Sequence, residues 1–484
     1  MDVNEFTAIG SDESKVIKVV AENEELNKDI DISGELYELY DRYKEEALCN
    51  RRLKNSDVEQ LLTGLSRQPE FDIRTIGHAV ENRKIFQVKL GNGKTKVLIW
   101  SQMHGNESTG TMAMFDIFNF FKRKDEFDEI KKVIQESLTI YFIPMLNPDG
   151  AAVYKRRNAL GIDLNRDAVR LQAPESKLLN SLVTNIQFDF AFNLHDQDKT
   201  YKIGKKPSTM SFLAPAYNAQ KNVNKIRQNA MQLICGLNKQ LSKFIPNQIG
   251  RYEDNYNPNC FGDDFQKRGI STVLFEAGNY YLDTEKQYVR KVNFVALLSA
   301  LVSVAVKSYE EQDVKLYKQI PENEKGLYDL IIRNVTVETK GKSYTLDLGV
   351  EQQEVNFPDF RSYYTKGVYS EIGDMSNESA YQELNATNFK FVQGKVFPGI
   401  LKRLSELNEA NILALLDLGY TTVRVKRLPY GRDFSRLPIH IIPSTENTDN
   451  EIALGKTANF VLQKKGKTQY AVINGLLYDL VSNL

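Results

Sequence analysis

Between about Arg74 and Tyr309 the sequence keeps switching between short runs rich in β-branched and aromatic residues and longer amphipathic stretches. Residues 85–90, 96–100, 138–143, 188–194 and 271–275 read as strands, and residues 108–122, 176–185, 223–244 and 289–306 read as helices. Such alternation predicts an α/β fold around a mostly parallel sheet. At 484 residues the chain exceeds one ordinary core, so further parts are expected.

Those parts show as changes of texture. Residues 1–34 are polar and rich in Asp, Glu and Lys, and read as peripheral. From Leu36 onward, Leu36, Leu39, Tyr40, Tyr43 and Ala47 recur at helical spacing, which predicts a packed helix. Past about residue 312, runs such as 330–337, 344–348 and 421–425 alternate with Gly, Asn, Asp and Pro, which predicts a β-rich accessory domain. One helical segment near 400–418 interrupts it. The expected division is an N-terminal extension over 1–69, a main domain over 70–311 and the accessory domain over 312–484.

Charge and cysteine content narrow the setting. Lys+Arg and Asp+Glu both total 63, so nothing in the bulk charge draws the chain to nucleic acid or an anionic membrane. The longest apolar stretch, 292–306, is too short to span a bilayer and contains Asn293, Ser299 and Ser303, so it reads as a buried core helix. Cys49, Cys235 and Cys260 are sparse and unpaired by spacing, as in a reducing compartment. The start, Met1-Asp2-Val3-Asn4-Glu5, lacks the basic-then-apolar pattern of a signal peptide, and the expectation is a cytoplasmic protein.

The chemistry gathers at predicted strand ends. His104-Gly105-Asn106-Glu107 follows the apolar run 97–100. Ligands at i and i+3 converge on one ion if His104 sits in the turn and Glu107 opens the next helix, with Gly105 and Asn106 allowing the bend. Alone the spacing is weak: chance would give it on the order of once in four such chains. His195, however, follows the predicted strand 188–194, and Glu276 follows 271–275. In an open α/β sheet that edge is where ligands collect. Of four histidines, His104 and His195 occupy this pattern, whereas His78 and His440 have no partner motif and read as core residues. Two imidazoles, a carboxylate and an open position favour catalytic zinc, and no cysteine lies near either histidine to make a closed site. Water in the open position would give its proton to Glu276 as general base, while the metal polarises a carbonyl.

Five motifs then appear in order: His104-Gly-Asn-Glu107, Asn147-Pro-Asp-Gly150, Arg156 through Arg166 (Arg-Arg-Asn-Ala-Leu-Gly-Ile-Asp-Leu-Asn-Arg), Asn193-Leu-His195 and Phe275-Glu276. Over about residues 70–310 the chain resembles the zinc carboxypeptidases related to carboxypeptidase A. The resemblance implies a mixed, mostly parallel eight-stranded sheet with helices on both faces. It implies zinc held by His104, Glu107 and His195, and Glu276 as general base and then general acid. It makes Arg156 the oxyanion partner, better placed by spacing than Arg157. It gives Asn165 and Arg166 the grip on the free carboxylate of a peptide substrate, where a guanidinium fork suits the planar anion. Asp163 would hold the far nitrogen of His104.

Three features depart from the usual pattern. His195 is followed by the acidic Asp196-Gln197-Asp198, which would repel acidic groups, attract basic ones, or form a solvated loop. The mobile tyrosine common in the family is matched by Tyr252 or, slightly better by spacing, Tyr256. The residue that sets side-chain preference falls within 260–264. Two further readings compete: deacylation of an N-acyl amino acid on the same fold, and a peptide-binding module without catalysis. The intact Asn147-Pro-Asp-Gly150 favours the peptidase branch over the first, and the complete set of ligands and base disfavours the second.

Overall fold

The computed structural model describes residues 30–429 and 434–481, so residues 1–29 of the polar N-terminal stretch lie outside it. The described chain forms two compact units, one from residues 30–199 and 208–323, the other from 200–207 and 324–481. The change of unit expected near residue 312 falls between 323 and 324.

The strands of the first unit are β1 (Phe71–His78), β2 (Lys84–Leu90), β3 (Thr95–Trp100), β4 (Leu138–Ile143) and β5 (Phe190–Asp196). A hairpin of β6 (Tyr201–Ile203) and β7 (Lys206–Pro207), which counts with the second unit, precedes β8 (Met210–Leu213), β9 (Ile249–Arg251) and β10 (Ser271–Ala277). The eight-stranded sheet runs β1-β2-β4-β3-β5-β10-β8-β9. The central pairs β4–β3, β3–β5 and β5–β10 are parallel, as is β8–β9; β1–β2, β2–β4 and β10–β8 are antiparallel. The expected mixed, mostly parallel α/β sheet is therefore present.

Helices α1 (Ser33–Glu38), α2 (Asn55–Leu65), α3 (Thr109–Lys122), α4 (Asp128–Ser137), α5 (Pro148–Ala152), α6 (Pro174–Asn185), α7 (Lys225–Leu241), α8 (Phe261–Lys267) and α9 (Gln287–Val306) surround this sheet. Strand alternation divides the apolar residues between its two faces. Val97, Ile99, Phe190, Phe192 and Leu194 join one core with α3, α4, α7 and α9. Leu98, Trp100 and Ala191 join another with Leu179 of α6 and Phe261 and Phe265 of α8. Helix α9 is long and apolar enough to cross a membrane by length and composition, yet 83% of its apolar window is buried, against α3, α4 and α7. It is the core helix expected over 292–306.

The N-terminal stretch differs from expectation. Ile30 and Ile32 are buried, as are Leu36, Tyr40, Tyr43, Leu48 and Leu53, and all belong to the first unit's larger core. Helix α1 stops at Glu38 and continues as a 3-10 turn, Tyr40–Arg42, so Ala47 falls outside the periodic face and is exposed. This segment is pinned by a buried ion pair between Asp116 of α3 and Arg290 of α9, which also binds the carbonyls of Glu45 and Leu48.

The second unit is β-rich, as expected. Its strands are β11 (Glu324–Lys325), β12 (Leu327–Thr339), β13 (Lys342–Asn356), β14 (Tyr363–Gly373), β15 (Ser379–Asn385), β16 (Lys390–Gln393), β17 (Lys395–Arg403), β18 (Tyr420–Arg427), β19 (His440–Pro443), β20 (Phe460–Lys464), β21 (Lys467–Ile473) and β22 (Leu476–Asp479). The larger sheet runs β14-β13-β12-β16-β20-β21-β22 with β15 also on β12; smaller sheets are β17-β18-β19 and β11-β6-β7. The helix expected near 400–418 is shorter, α10 (Glu409–Asp417), because residues 400–403 are taken into β17 by pairing with β18. Of the two histidines set aside as core residues, His440 is buried, but His78 is exposed at the end of β1.

Candidate metal centre

The site lies at the carboxyl ends of β3, β5 and β10. Their apolar runs end at Trp100, Leu194 and Phe275, but β5 and β10 keep pairing for two more residues, with Glu276 opposite His195 in parallel register. His195 and Glu276 thus sit inside their strands rather than after them, and the sheet itself fixes their directions. Nor does Glu107 open α3: it lies in the loop two residues before the helix starts at Thr109.

The His104–Glu107 loop is braced from behind. The side-chain amide of Asn147 donates to the carbonyls of Met103 (3.2 Å) and Arg156 (3.3 Å), and its oxygen caps α5 by accepting from the Gly150 amide (2.8 Å). Gly105 packs directly on this turn: a Cβ placed on it would lie 2.1 Å from the carbonyl carbon of Gly150. Two motifs far apart in sequence therefore fit together only with glycine at 105.

On that frame three side chains converge. His104 Nδ1 is 2.8 Å from one oxygen of Glu107, and His195 Nδ1 is 2.8 Å from the other. All three are buried, with one candidate ligand atom from each lying within 4.8 Å of the others. The outer nitrogens turn away: His104 Nε2 lies 3.1 Å from Asp163 Oδ1, and His195 Nε2 lies 3.4 Å from Asn165 Nδ2. Both Nδ1 atoms and the carboxylate thus face a common point, a donor set that fits zinc, with Asp163 orienting one ring from outside.

Arg156 and Arg157 separate clearly. The Arg156 guanidinium donates to Asp163 Oδ2 (3.0 Å) and Glu107 Oε1 (3.2 Å) and lies 3.0 Å from His104 Nδ1, while Arg157 turns to the Gly161 carbonyl. Asn165 is buried, its oxygen accepting from the Phe261 amide (3.0 Å). The exposed Arg166 donates to the Asn165 carbonyl (2.7 Å) and to Cys260 Sγ (3.2 Å). All eight residues singled out for metal, base, oxyanion, carboxylate and orienting roles therefore occupy one neighbourhood.

The electrostatics match this geometry. Burial alone would raise the carboxyl of Glu107, but the two imidazoles outweigh it and hold the group well below the usual range. Burial likewise opposes ionisation of Asp163, which His104 and Arg156 nevertheless keep low. Glu276 goes the other way: burial pushes its carboxyl up to about 7, with His195 pulling against it. A carboxyl near neutrality suits proton transfer in both directions.

The acidic run after His195 is largely neutralised. Asp196 accepts from Thr109 Oγ1 (2.7 Å) and pairs with Lys286 (3.2 Å), both ends of the ion pair being buried. Gln197 is buried and bonded to Ser208, so only Asp198 remains exposed. Tyr252 and Tyr256 are both half-buried in the loop between β9 and α8. Sequence reasoning gave no separate role to Asn147 or Lys286; the Asn-Pro-Asp-Gly motif was a signal for the first, nothing local marks the second, and Cys260 lies in the 260–264 stretch expected to set side-chain preference.

Residues 58–208, which hold seven of the eight singled-out residues, all but Glu276, match the zinc carboxypeptidase family profile. In this segment the chain is similar to the zinc carboxypeptidases. Carboxypeptidase SOL1 of Arabidopsis thaliana is 28% identical over 140 residues, covering 24% of this chain and 28% of that protein. Carboxypeptidase D of Anas platyrhynchos is 23% identical over 419 residues, covering 69% of this chain and 29% of that protein. The chain thus spans under a third of the length of these relatives. Among solved structures, a metallo-carboxypeptidase from Burkholderia cenocepacia aligns at a TM-score of 0.44 and 18% identity, over 51% of this chain and 68% of that one.

Proposed function

We propose that this site hydrolyses the peptide bond next to a free C-terminal carboxylate. The observation that carries the reading is the convergence of His104 Nδ1, His195 Nδ1 and the Glu107 carboxylate, with Glu276 in register beside His195. His104, Glu107 and His195 would hold zinc, which supplies Lewis-acid polarisation of the scissile carbonyl and acidifies water.

The chain's own residues supply the remainder. Arg166, exposed and anchored by one nitrogen, presents its remaining donors to the terminal carboxylate, and the Asn165 amide stands beside it. Arg156 would donate to the carbonyl oxygen as negative charge develops there. Glu276 takes a proton from the attacking water as its oxygen bonds to the carbonyl carbon. It returns that proton to the amide nitrogen as the C–N bond breaks, releasing the last residue as a free amino acid.

Replacing Glu276 with Gln keeps the shape and removes the proton acceptor. Zinc stoichiometry by elemental analysis should stay at one per chain while release of C-terminal residues, followed by mass spectrometry, falls by at least about 10²-fold. Full activity in that variant would rule out the role assigned to Glu276.

A further inference from the structure

The loop that carries the oxyanion and carboxylate partners is far more basic than their roles require. Between residues 155 and 170 the chain places five cations, Lys155, Arg156, Arg157, Arg166 and Arg170, and all five are exposed. The same stretch holds two carboxylates, and neither is available to balance them. Asp163 is bound to His104, Arg156 and the Asn165 amide. Asp167 is buried and accepts from the amides of Gln172 (2.9 Å) and Ala173 (2.8 Å), closing the end of the loop.

Facing loops do little to offset this charge. Asp149 is buried against Arg83, Asp196 against Lys286, and Asp254 is paired with Arg227. Glu253 and Asp198 are the exposed carboxylates on the loops following β9 and β5. In a chain whose formal net charge is zero, this edge thus concentrates unbalanced positive charge around the proposed site. Arg156 and Arg166 have work in the reaction. Lys155, Arg157 and Arg170 do not, and Lys155 and Arg170 make no ion pair among the described residues. Cations within about one Debye length, ~8 Å at physiological salt, raise the local concentration of an anionic ligand and speed its capture.

We propose that the substrate is an acidic peptide, carrying side-chain carboxylates upstream of the bond that is cut, where Lys155 and Arg170 meet them. This rests on the reading of the site as a carboxypeptidase centre. The test uses peptides with one C-terminal residue and Glu, Gln or Lys at three preceding positions. kcat/KM is measured on the zinc-loaded full chain at low and high NaCl. Binding of the same peptides to zinc-loaded Glu276→Gln protein is measured by fluorescence anisotropy.

Glu peptides should be favoured over Gln peptides by roughly ten-fold at low salt, and high salt should erode the preference. Exposed charges each contribute little, so Lys155→Gln with Arg170→Gln should cost Glu peptides about two- to ten-fold and leave Gln peptides unchanged. Lys155→Glu with Arg170→Glu should go further and favour Lys peptides. Equal binding and cleavage of Glu and Gln peptides, or preference for Lys peptides by the unaltered protein, overturns the proposal. If Glu peptides bind best but none is shortened, the acidic ligand stands and the reaction falls. If all three peptides are shortened at the same rate, the reaction stands and the acidic substrate falls.

Discussion

Arg290→Met should cost the first unit several kcal/mol, and the structure says why. The guanidinium and the carboxylate of Asp116 are fully buried. Arg290 Nε donates to Asp116 Oδ2 (2.8 Å) and Nη2 to Oδ1 (2.5 Å). Nη1 donates to the Leu48 carbonyl (2.7 Å) and to Gln287 Oε1 (3.0 Å), and Nη2 to the Glu45 carbonyl (3.0 Å). Methionine fills the volume but leaves Asp116 with only Tyr40 and the Glu45 amide as donors. Removing one partner of a buried pair costs about 3–5 kcal/mol, whereas replacing both with apolar groups is often neutral. Asp116→Leu combined with Arg290→Met should therefore recover most of the loss.

Trp100 is the single tryptophan of the chain and is buried in β3, so its fluorescence reports unfolding of this unit. With a urea m-value of about 3 kcal/mol/M or more, the midpoint should fall by roughly 1 M in the single variant. A loss below about 1 kcal/mol would show that the pair does not pin the N-terminal segment to α3 and α9. A double variant as weak as the single one would contradict the reasoning about stranded charge.

Three other outcomes follow from the site. Gly105→Ala forces a methyl group into the Gly150 backbone, so the His104–Glu107 loop must shift; zinc content should drop and activity fall by about 10²-fold, with circular dichroism unchanged. Asp163→Asn removes the negative charge behind His104 and should weaken zinc binding by roughly 10- to 100-fold in competition with a chromogenic chelator. In metal-free protein the folded-state value of Glu276, about 7, lies above its unfolded value near 4.3. The folded state then holds a proton that the unfolded state has lost, so this contribution is full below about pH 4.3 and disappears as pH rises through 7. Metal-free Glu276→Gln should accordingly match the unaltered protein at pH 4 and exceed it at pH 8 by on the order of 3 kcal/mol in urea titrations.

The candidate metal centre was legible in sequence because its chemistry needs rare residues at constrained spacings: two of four histidines, and carboxylates placed just beyond apolar runs. Strand limits were less so. Apolar content marks burial, whereas β5 and β10 continue through His195-Asp196 and Glu276-Ala277 by backbone pairing alone. The short strands β8 and β9 and the polar hairpin β6–β7 give too few residues for a periodic signal. Ile30 and Ile32 sit in a polar stretch and reveal their burial only through partners remote in sequence. Charge state was also hidden: Asp196 reads as acidic until Lys286, ninety residues on, is seen against it.

The carboxypeptidase reading is tested most directly by incubating the zinc-loaded protein with a mixed peptide library, with and without a chelator, and recording masses. Single residues should be lost stepwise from C-termini. The chelator should abolish that loss, and C-terminally amidated peptides should escape it, because Arg166 then has no carboxylate to bind. Unchanged masses throughout, or equal cleavage of amidated peptides, would contradict the reading.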